Sequence, residues 1–130
     1  MNRVYEFLKK CGTYYLATNE NGAPRVRPFG TVCIYNDKLY IQTGKSKPVY
    51  RQIIECPTVE ICAFDGSSWI RLSGTLVPDE DVAAKKYMLD LYPMLRGMYD
   101  ENDDNTIVLY FKDATAVISS FTAAPITIVF

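Results

Sequence analysis

The chain of 130 residues contains no histidine. That one absence excludes Ser-His-Asp and Cys-His hydrolase machinery, histidine-ligated haem and most catalytic zinc sites. The four cysteines, Cys11, Cys33, Cys56 and Cys62, form no C-x-x-C pair. Scattered among apolar residues and element boundaries, they read as small hydrophobes rather than disulfide partners or metal ligands. No apolar run approaches the roughly 20 residues of a bilayer span. Met1 to Lys10 carries Arg3, Glu6, Lys9 and Lys10 and lacks the apolar core of a signal peptide, so a cytoplasmic setting is expected. A net charge of −1 gives no sequence-independent grip on nucleic acid or acidic membranes. Any bound anion must be held by a local cluster.

What is present suits one domain spanning residues 1–130: 48% of the residues are hydrophobic, enough to bury a core without staples. Asn2 is placed as the N-cap of a short helix carrying Val4, Tyr5, Phe7 and Leu8 and stopped by Gly12. Thr13 to Thr18 reads as a strand, and Asn19-Glu20-Asn21-Gly22 as a hairpin turn. One strand is then expected from about Pro24 to Tyr35, and Asn36-Asp37-Lys38 turns into another, Leu39 to Thr43. Pro48 opens a helix, Val49 to Cys56, which Pro57 stops. Strands follow at Val59 to Phe64 and Ser68 to Val77, then an acid-capped helix carrying Val82, Ala83, Met88, Leu91 and Leu95, kinked or restarted at Pro93. Asp100 to Asp104 reads as a solvated loop. Thr106 to Phe111, Ala114 to Ser119 and Ile126 to Phe130 complete eight short strands, which with three helices suggest an α+β domain on a closed or nearly closed barrel.

Strand alternation places Arg25, Arg27, Phe29 and Thr31 on one face, and Val26, Pro28, Gly30, Val32 and Ile34 on the other, expected to be the core face. Two guanidinium groups beside an aromatic ring suit an anionic aromatic ligand, or equally a solvated face. Thr43-Gly44-Lys45-Ser46-Lys47 joins a strand end to the helix opened by Pro48. It offers two hydroxyls, two ammonium groups and backbone N–H donors near a helix N-terminus, the set a phosphate monoester needs. The same residues also make an ordinary polar turn, and the G-x-x-x-x-G-K pattern of nucleotide triphosphate loops is missing. On the long strand, Trp69, Arg71, Ser73 and Thr75 face one way and Ile70, Leu72, Gly74 and Leu76 the other. Trp69, Tyr35 and Tyr40 are expected at an interface.

Taken in order, A-T-N-E-N-G-A-P-R-V-R-P-F-G, L-Y-I-Q-T-G-K-S-K-P-V-Y-R-Q-I, C-P-T-V-E-I-C and W-I-R-L-S-G-T-L closely resemble the pyridoxamine 5′-phosphate oxidase-like family of FMN-binding split barrels. The resemblance runs from about Val4 to Ser119. It implies a mainly antiparallel, Greek-key split β-barrel with flanking helices, a homodimer, and FMN in a groove between the subunits. By that analogy Arg27 lies along the flavin with Phe29 near its ring, and Gln42 and Thr43 reach the ring or ribityl chain. Ser46 and Lys47 would hold the phosphate, with Arg51 and Gln52 as further contacts. Trp69 and Arg71 would line the pocket, from the partner subunit or the same one.

Departures from the family narrow the activity. The chain stops at Phe130 without the basic and histidine residues of the longer pyridoxamine phosphate oxidases, so vitamin B6 synthesis is not expected. Nitroimidazole-resistance members match in size but are associated with an active-site histidine. The expected function is that of a flavoprotein oxidoreductase passing electrons or hydride to a small aromatic or nitro compound. A non-catalytic flavin-binding or sensing module, an F420-dependent reductase, and a homodimeric structural or regulatory barrel whose pocket has degenerated are the competing readings. No nucleic acid or membrane partner is expected.

Overall fold

Two tight turns set the register of the sheet. Asn21 and Gly22 both have positive φ (53° and 87°), as do Asn36 and Asp37 (49° and 57°). Paired left-handed residues are what a two-residue hairpin needs to match strand twist, and Asn, Asp and Gly reach that region cheaply. Around these turns the computed structural model, which describes residues 1–130, forms eight strands. They are β1 (Tyr14–Glu20), β2 (Ala23–Phe29), β3 (Cys33–Tyr35), β4 (Lys38–Gly44), β5 (Thr58–Phe64), β6 (Ser68–Asp79), β7 (Thr106–Ser120) and β8 (Ile126–Val129). Three helices join them: α1 (Asn2–Cys11), α2 (Pro48–Glu55) and α3 (Val82–Leu91), the last followed by a 3-10 turn, Pro93–Gly97.

All pairings are antiparallel, in the order β2-β1-β5-β6-β7-β4-β3 with β8 added to β7. The sheet is α+β in class and does not close; it is a split barrel. Its two ends, β2 and β3, are joined by only three residues, Gly30–Val32. The barrel interior is filled by α1 through Val4 and Leu8, by Ile53 of α2, and by inward residues such as Leu16, Ile61, Ile70, Leu72 and Leu109. No helix is long and apolar enough to cross a membrane.

Several expectations are corrected. The strand expected from Pro24 to Tyr35 breaks at Gly30–Val32. Thr106 to Ser119, expected as two strands, is continuous, with a bulge where Asp113 takes φ 53° opposite the Ser73/Thr75 register shift. The number eight therefore survives with two boundaries moved. The core face of β2 is the opposite of the one expected. Tyr14 pairs with Phe29 and Leu16 with Arg27, and cross-strand partners share a face, so the buried Tyr14 and Leu16 bring Phe29 and Arg27 inward. Val26 is left 67% exposed.

At the start of α1, Met1 is the N-cap and Asn2 is already helical. On α3 the buried face is Ala84, Lys85, Met88 and Leu89, while Val82 and Leu91 are exposed. Tyr40 is not an interface residue. It is buried between the sheet and α3 beside Met88 and Val108, with its hydroxyl donating to Asp79 at 2.7 Å. The four cysteines are unbridged; burial pushes the Cys33 thiol up to about 12.

Leu72 is fully buried at the centre of β6. Leu72→Ala is expected to cost about 2–5 kcal/mol in urea unfolding, the range for truncating a core leucine. A loss well under 1 kcal/mol would place Leu72 outside the core.

Candidate functional site

The barrel split leaves a cleft of about 170 Å³ whose lining includes Phe29, Thr31, Gln42, Thr43, Lys47 and Tyr99. Its floor is the Gly30–Val32 linker, and side chains pin that linker from three directions. Tyr14 Oη donates to Thr31 O at 2.6 Å. Thr31 Oγ1 accepts from Gln42 N (3.1 Å) and donates to Gln42 O (3.4 Å), tying the linker to β4. Tyr92 Oη accepts from Val32 N (3.1 Å) and donates to Val32 O (3.2 Å), tying it to the end of α3. Where the sheet ladder stops, hydroxyls supply the hydrogen bonds the backbone still needs.

The Thr43–Lys47 segment forms the adjoining wall, and one expectation about it is overturned. Its amides are not free. Lys45 N donates to Asn105 O, Ser46 N to Asn105 Oδ1 at 2.9 Å, and Lys47 N to Gly44 O. The available donors are side chains. Lys45 is held by Glu80, whose hydrogen bond raises the ammonium above its ordinary pKa, and Glu80 also takes Lys85. Lys47 makes no ion pair within the chain and lines the cleft. Beside it, Thr43 is 3% exposed, and its Oγ1 is the one buried side-chain polar atom with no hydrogen-bond partner. An unsatisfied buried hydroxyl costs about 1–3 kcal/mol, so something must repay it.

Arg27, Gln52 and Arg51 stand behind this wall, outside the cleft lining. Arg27 donates to Leu16 O (3.1 Å), Thr18 Oγ1 (2.8 Å) and Gln52 Oε1 (2.6 Å), all neutral acceptors. Burial lowers its pKa below the ordinary value, and the nearby charge of Glu20 partly offsets this. Arg51 is exposed and pairs with Glu20 at 3.0 Å; hydrogen bonds from Arg25 and Arg51 hold the Glu20 carboxyl below the usual carboxylate range. Trp69 and Arg71 lie apart from the cleft, on the outer face of the sheet. They line a shallow recess of about 280 Å³ with Glu60, Ser73 and Thr115. Arg71 grips Glu60 through both Nη2 (2.8 Å) and Nε (2.9 Å), and Trp69 packs on Phe121 with ring centroids 5.1 Å apart. The cleft thus gathers Phe29, Gln42, Thr43 and Lys47, with Ser46 on the adjoining loop.

Sequence reasoning missed the opposite wall, Leu95, Met98 and Tyr99, and the staple Asn105. Tyr99 approaches β4 at Gly44, where a Cβ would lie 3.0 Å from its ring and 2.9 Å from Asn105 Nδ2. Only glycine leaves that room. The Leu-x-x-Met-Tyr spacing is a weak signal alone, and no local pattern links Asn105 to a loop sixty residues earlier.

The family model for pyridoxamine 5′-phosphate oxidase matches residues 2–108. Among solved structures, the chain is 42% identical to a NimC/NimA family protein from Clostridium acetobutylicum, with a TM-score of 0.97, covering 100% of this chain and 92% of that one. General Stress Protein 26 from Bacillus anthracis is 16% identical, with a TM-score of 0.73 and 97% of each chain covered. A heme binding protein from Mycobacterium smegmatis is 12% identical, with a TM-score of 0.73, covering 94% of this chain and 57% of that one; at that identity the likeness is one of fold alone. No curated protein matches the chain.

Asp103 holds the turn that presents Asn105, accepting from Asn105 N (2.9 Å), Thr106 N (2.6 Å) and Thr106 Oγ1 (3.0 Å). Desolvation works to raise its pKa, but these bonds and one from Asp100 N win and hold it at about 2. Its stabilising contribution is fully present above about pH 4 and is lost as pH falls toward 2. Denaturation of Asp103→Asn as a function of pH should show a stability deficit at neutral pH that closes across that window. A deficit that stays constant from pH 6 to pH 2 would mean the carboxylate charge plays no part.

Proposed function

The chain belongs to the pyridoxamine 5′-phosphate oxidase family, and on that premise we propose that it binds FMN at the barrel split and acts as an oxidoreductase on a small aromatic or nitro compound. The observation that carries this reading is the orphaned Thr43 Oγ1 beside the unpaired Lys47 in one cleft. A hydroxyl without a partner and an ammonium without a counter-ion are suited to a phosphate or polyol oxygen, which satisfies both.

When bound, FMN supplies hydride and single-electron transfer between a reduced donor and an acceptor. The protein's residues bind and orient it. Lys47 and Ser46 hold the phosphate, Thr43 and Gln42 the ribityl chain or ring edge, and Phe29 packs against the ring. Arg27, locked by Thr18 and Gln52 outside the cleft lining, adds a fixed positive field that favours negative charge in the site at no cost of rearrangement. Arg51 is committed to Glu20 and contributes by closing that network. Met98, 71% exposed at the rim, gives a soft apolar edge for acceptors of varied shape.

One chain does not enclose this ligand. The cleft, at about 170 Å³, is smaller than the roughly 300–1,000 Å³ of sites that bury a ligand of this class. Pro28 lines the cleft and also pairs with Tyr15 on the outer sheet face. From there an apolar surface extends across Val26 (67% exposed), Tyr15 (51%) and Phe64 (57%) to Trp69 and Phe121. An exposed apolar patch of this kind suits an interaction surface. We assign a second copy of the chain to it, forming a homodimer in which each subunit's Trp69 and Arg71 cover the other's cleft.

Lys47→Ala is expected to weaken FMN binding by about 1–3 kcal/mol, the value of a charge-assisted hydrogen bond. Titration of the purified protein against the visible flavin absorption would measure it, and unchanged affinity would remove Lys47 from the phosphate site. Phe64→Arg, on the exposed face, should yield a folded monomer in sedimentation that releases FMN on desalting. A variant that stays dimeric would move the interface elsewhere.

A further inference from the structure

Buried tyrosine hydroxyls ordinarily find a partner. Tyr14 donates to Thr31 O, Tyr40 to Asp79 and Tyr92 to Val32 O. Tyr99 differs, with its hydroxyl oxygen accessible rather than sealed from solvent. It is 7% exposed, it lines the cleft, and its hydroxyl makes no hydrogen bond within the chain. The ring is held beside the end of β4, where a Cβ on Gly44 would sit 3.1 Å from the hydroxyl. Gly44 lies directly between Thr43, with its own orphaned hydroxyl, and the Lys45-Ser46-Lys47 loop. Thr43, Tyr99 and Lys47, whose side-chain polar atoms have no hydrogen-bond or ion-pair partner within the chain, therefore line one and the same cleft.

We infer that the Tyr99 hydroxyl is a ligand-binding group that reads the phosphate end of the flavin, which makes it the residue that separates a phosphorylated flavin from its unphosphorylated form. This rests on the FMN reading above. A phosphate monoester presents several strong acceptor oxygens and close to two negative charges. The Lys47 ammonium and the Tyr99 hydroxyl, both without internal partners, match that demand, with Thr43 Oγ1 on the adjoining ribityl oxygens. A riboflavin hydroxymethyl end offers these groups no charged acceptor, and lost partners of this kind are what polar sites discriminate by. Gly44 is the backbone half of the device: any side chain there displaces both the Tyr99 ring and the Asn105 amide that staples the loop.

The test is the ratio of FMN to riboflavin affinity, read by flavin fluorescence quenching on wild-type protein, Tyr99→Phe and Gly44→Ala. Tyr99→Phe keeps the ring and removes only the hydroxyl. It is expected to bind FMN roughly tenfold more weakly while riboflavin affinity stays within about twofold. Gly44→Ala should reproduce the selective loss of FMN. Equal loss of both flavins would make Tyr99 a packing residue, and no loss of FMN would detach it from the ligand; either overturns the inference while leaving the FMN reading intact. Wild-type protein that binds both flavins equally places no phosphate at Tyr99 and overturns the inference alone. Wild-type protein that binds neither overturns the flavin reading, and this inference falls with it.

Discussion

The structure depends on how three residues, Gly30 to Val32, join the two outermost strands of the sheet order. β2 and β3 lie six positions apart in that order yet are consecutive in the chain. A linker this short forces the sheet to curl until its ends meet, and the curl creates the interior that Leu16, Ile61, Leu72 and their neighbours fill. The ends meet without pairing. Tyr14, Thr31 and Tyr92 then supply hydrogen bonds to the linker that a closed ladder would have supplied. The cleft is the space this substitution leaves, so fold and site come from one constraint.

Charge placement around the cleft is selective. Beside the β4–α2 loop, Lys45 is matched by Glu80 and Arg51 by Glu20. Such exposed pairs add little to stability. They remove competing anchors, so a bound anion has one mobile cation to find, Lys47. Arg27 serves differently. Its three hydrogen-bond acceptors are uncharged, so its positive charge is oriented by them and only partly offset by nearby Glu20. The arrangement separates a cation that can follow a ligand from one that cannot move.

Much of the fold was legible because turns and alternation are local properties. The two hairpin turns, the inward face of β6 and the Pro48 start of α2 all follow from residue types within a few positions. The face of β2 was not legible. Its apolar residues, Val26 and Pro28, point outward, because register with β1 overrides the strand's own pattern and the outer face is itself apolar. The break at Gly30 was hidden for a related reason: residues 24–35 alternate smoothly enough to read as one strand. At the site, the side chains of the β4–α2 loop were legible as donors from residue type alone. Their amides were not, because the partner that consumes them, Asn105, comes from a turn sixty residues later. Tyr99 was invisible for the same reason, since its significance arises only at Gly44.

These failures share a cause, and it bears on how the cleft can work. At the site, each missed residue lies on the segment from Leu95 to Asn105, which carries no strand and is held by short turns and local side-chain contacts: Tyr99 N on Leu95 O, Arg96 on Asp90 and Glu101, and Asp103 on Thr106. The opposite wall, by contrast, is β4, fully paired to β7 and buried. One side of the cleft is therefore rigid by sheet pairing and the other is adjustable by side-chain substitution. A scaffold built this way can keep its paired strand constant while the facing wall changes what may approach. In this chain that wall is apolar at Leu95 and Met98 and polar only at Tyr99, so the single hydroxyl it offers carries a weight that no other residue on that side can share.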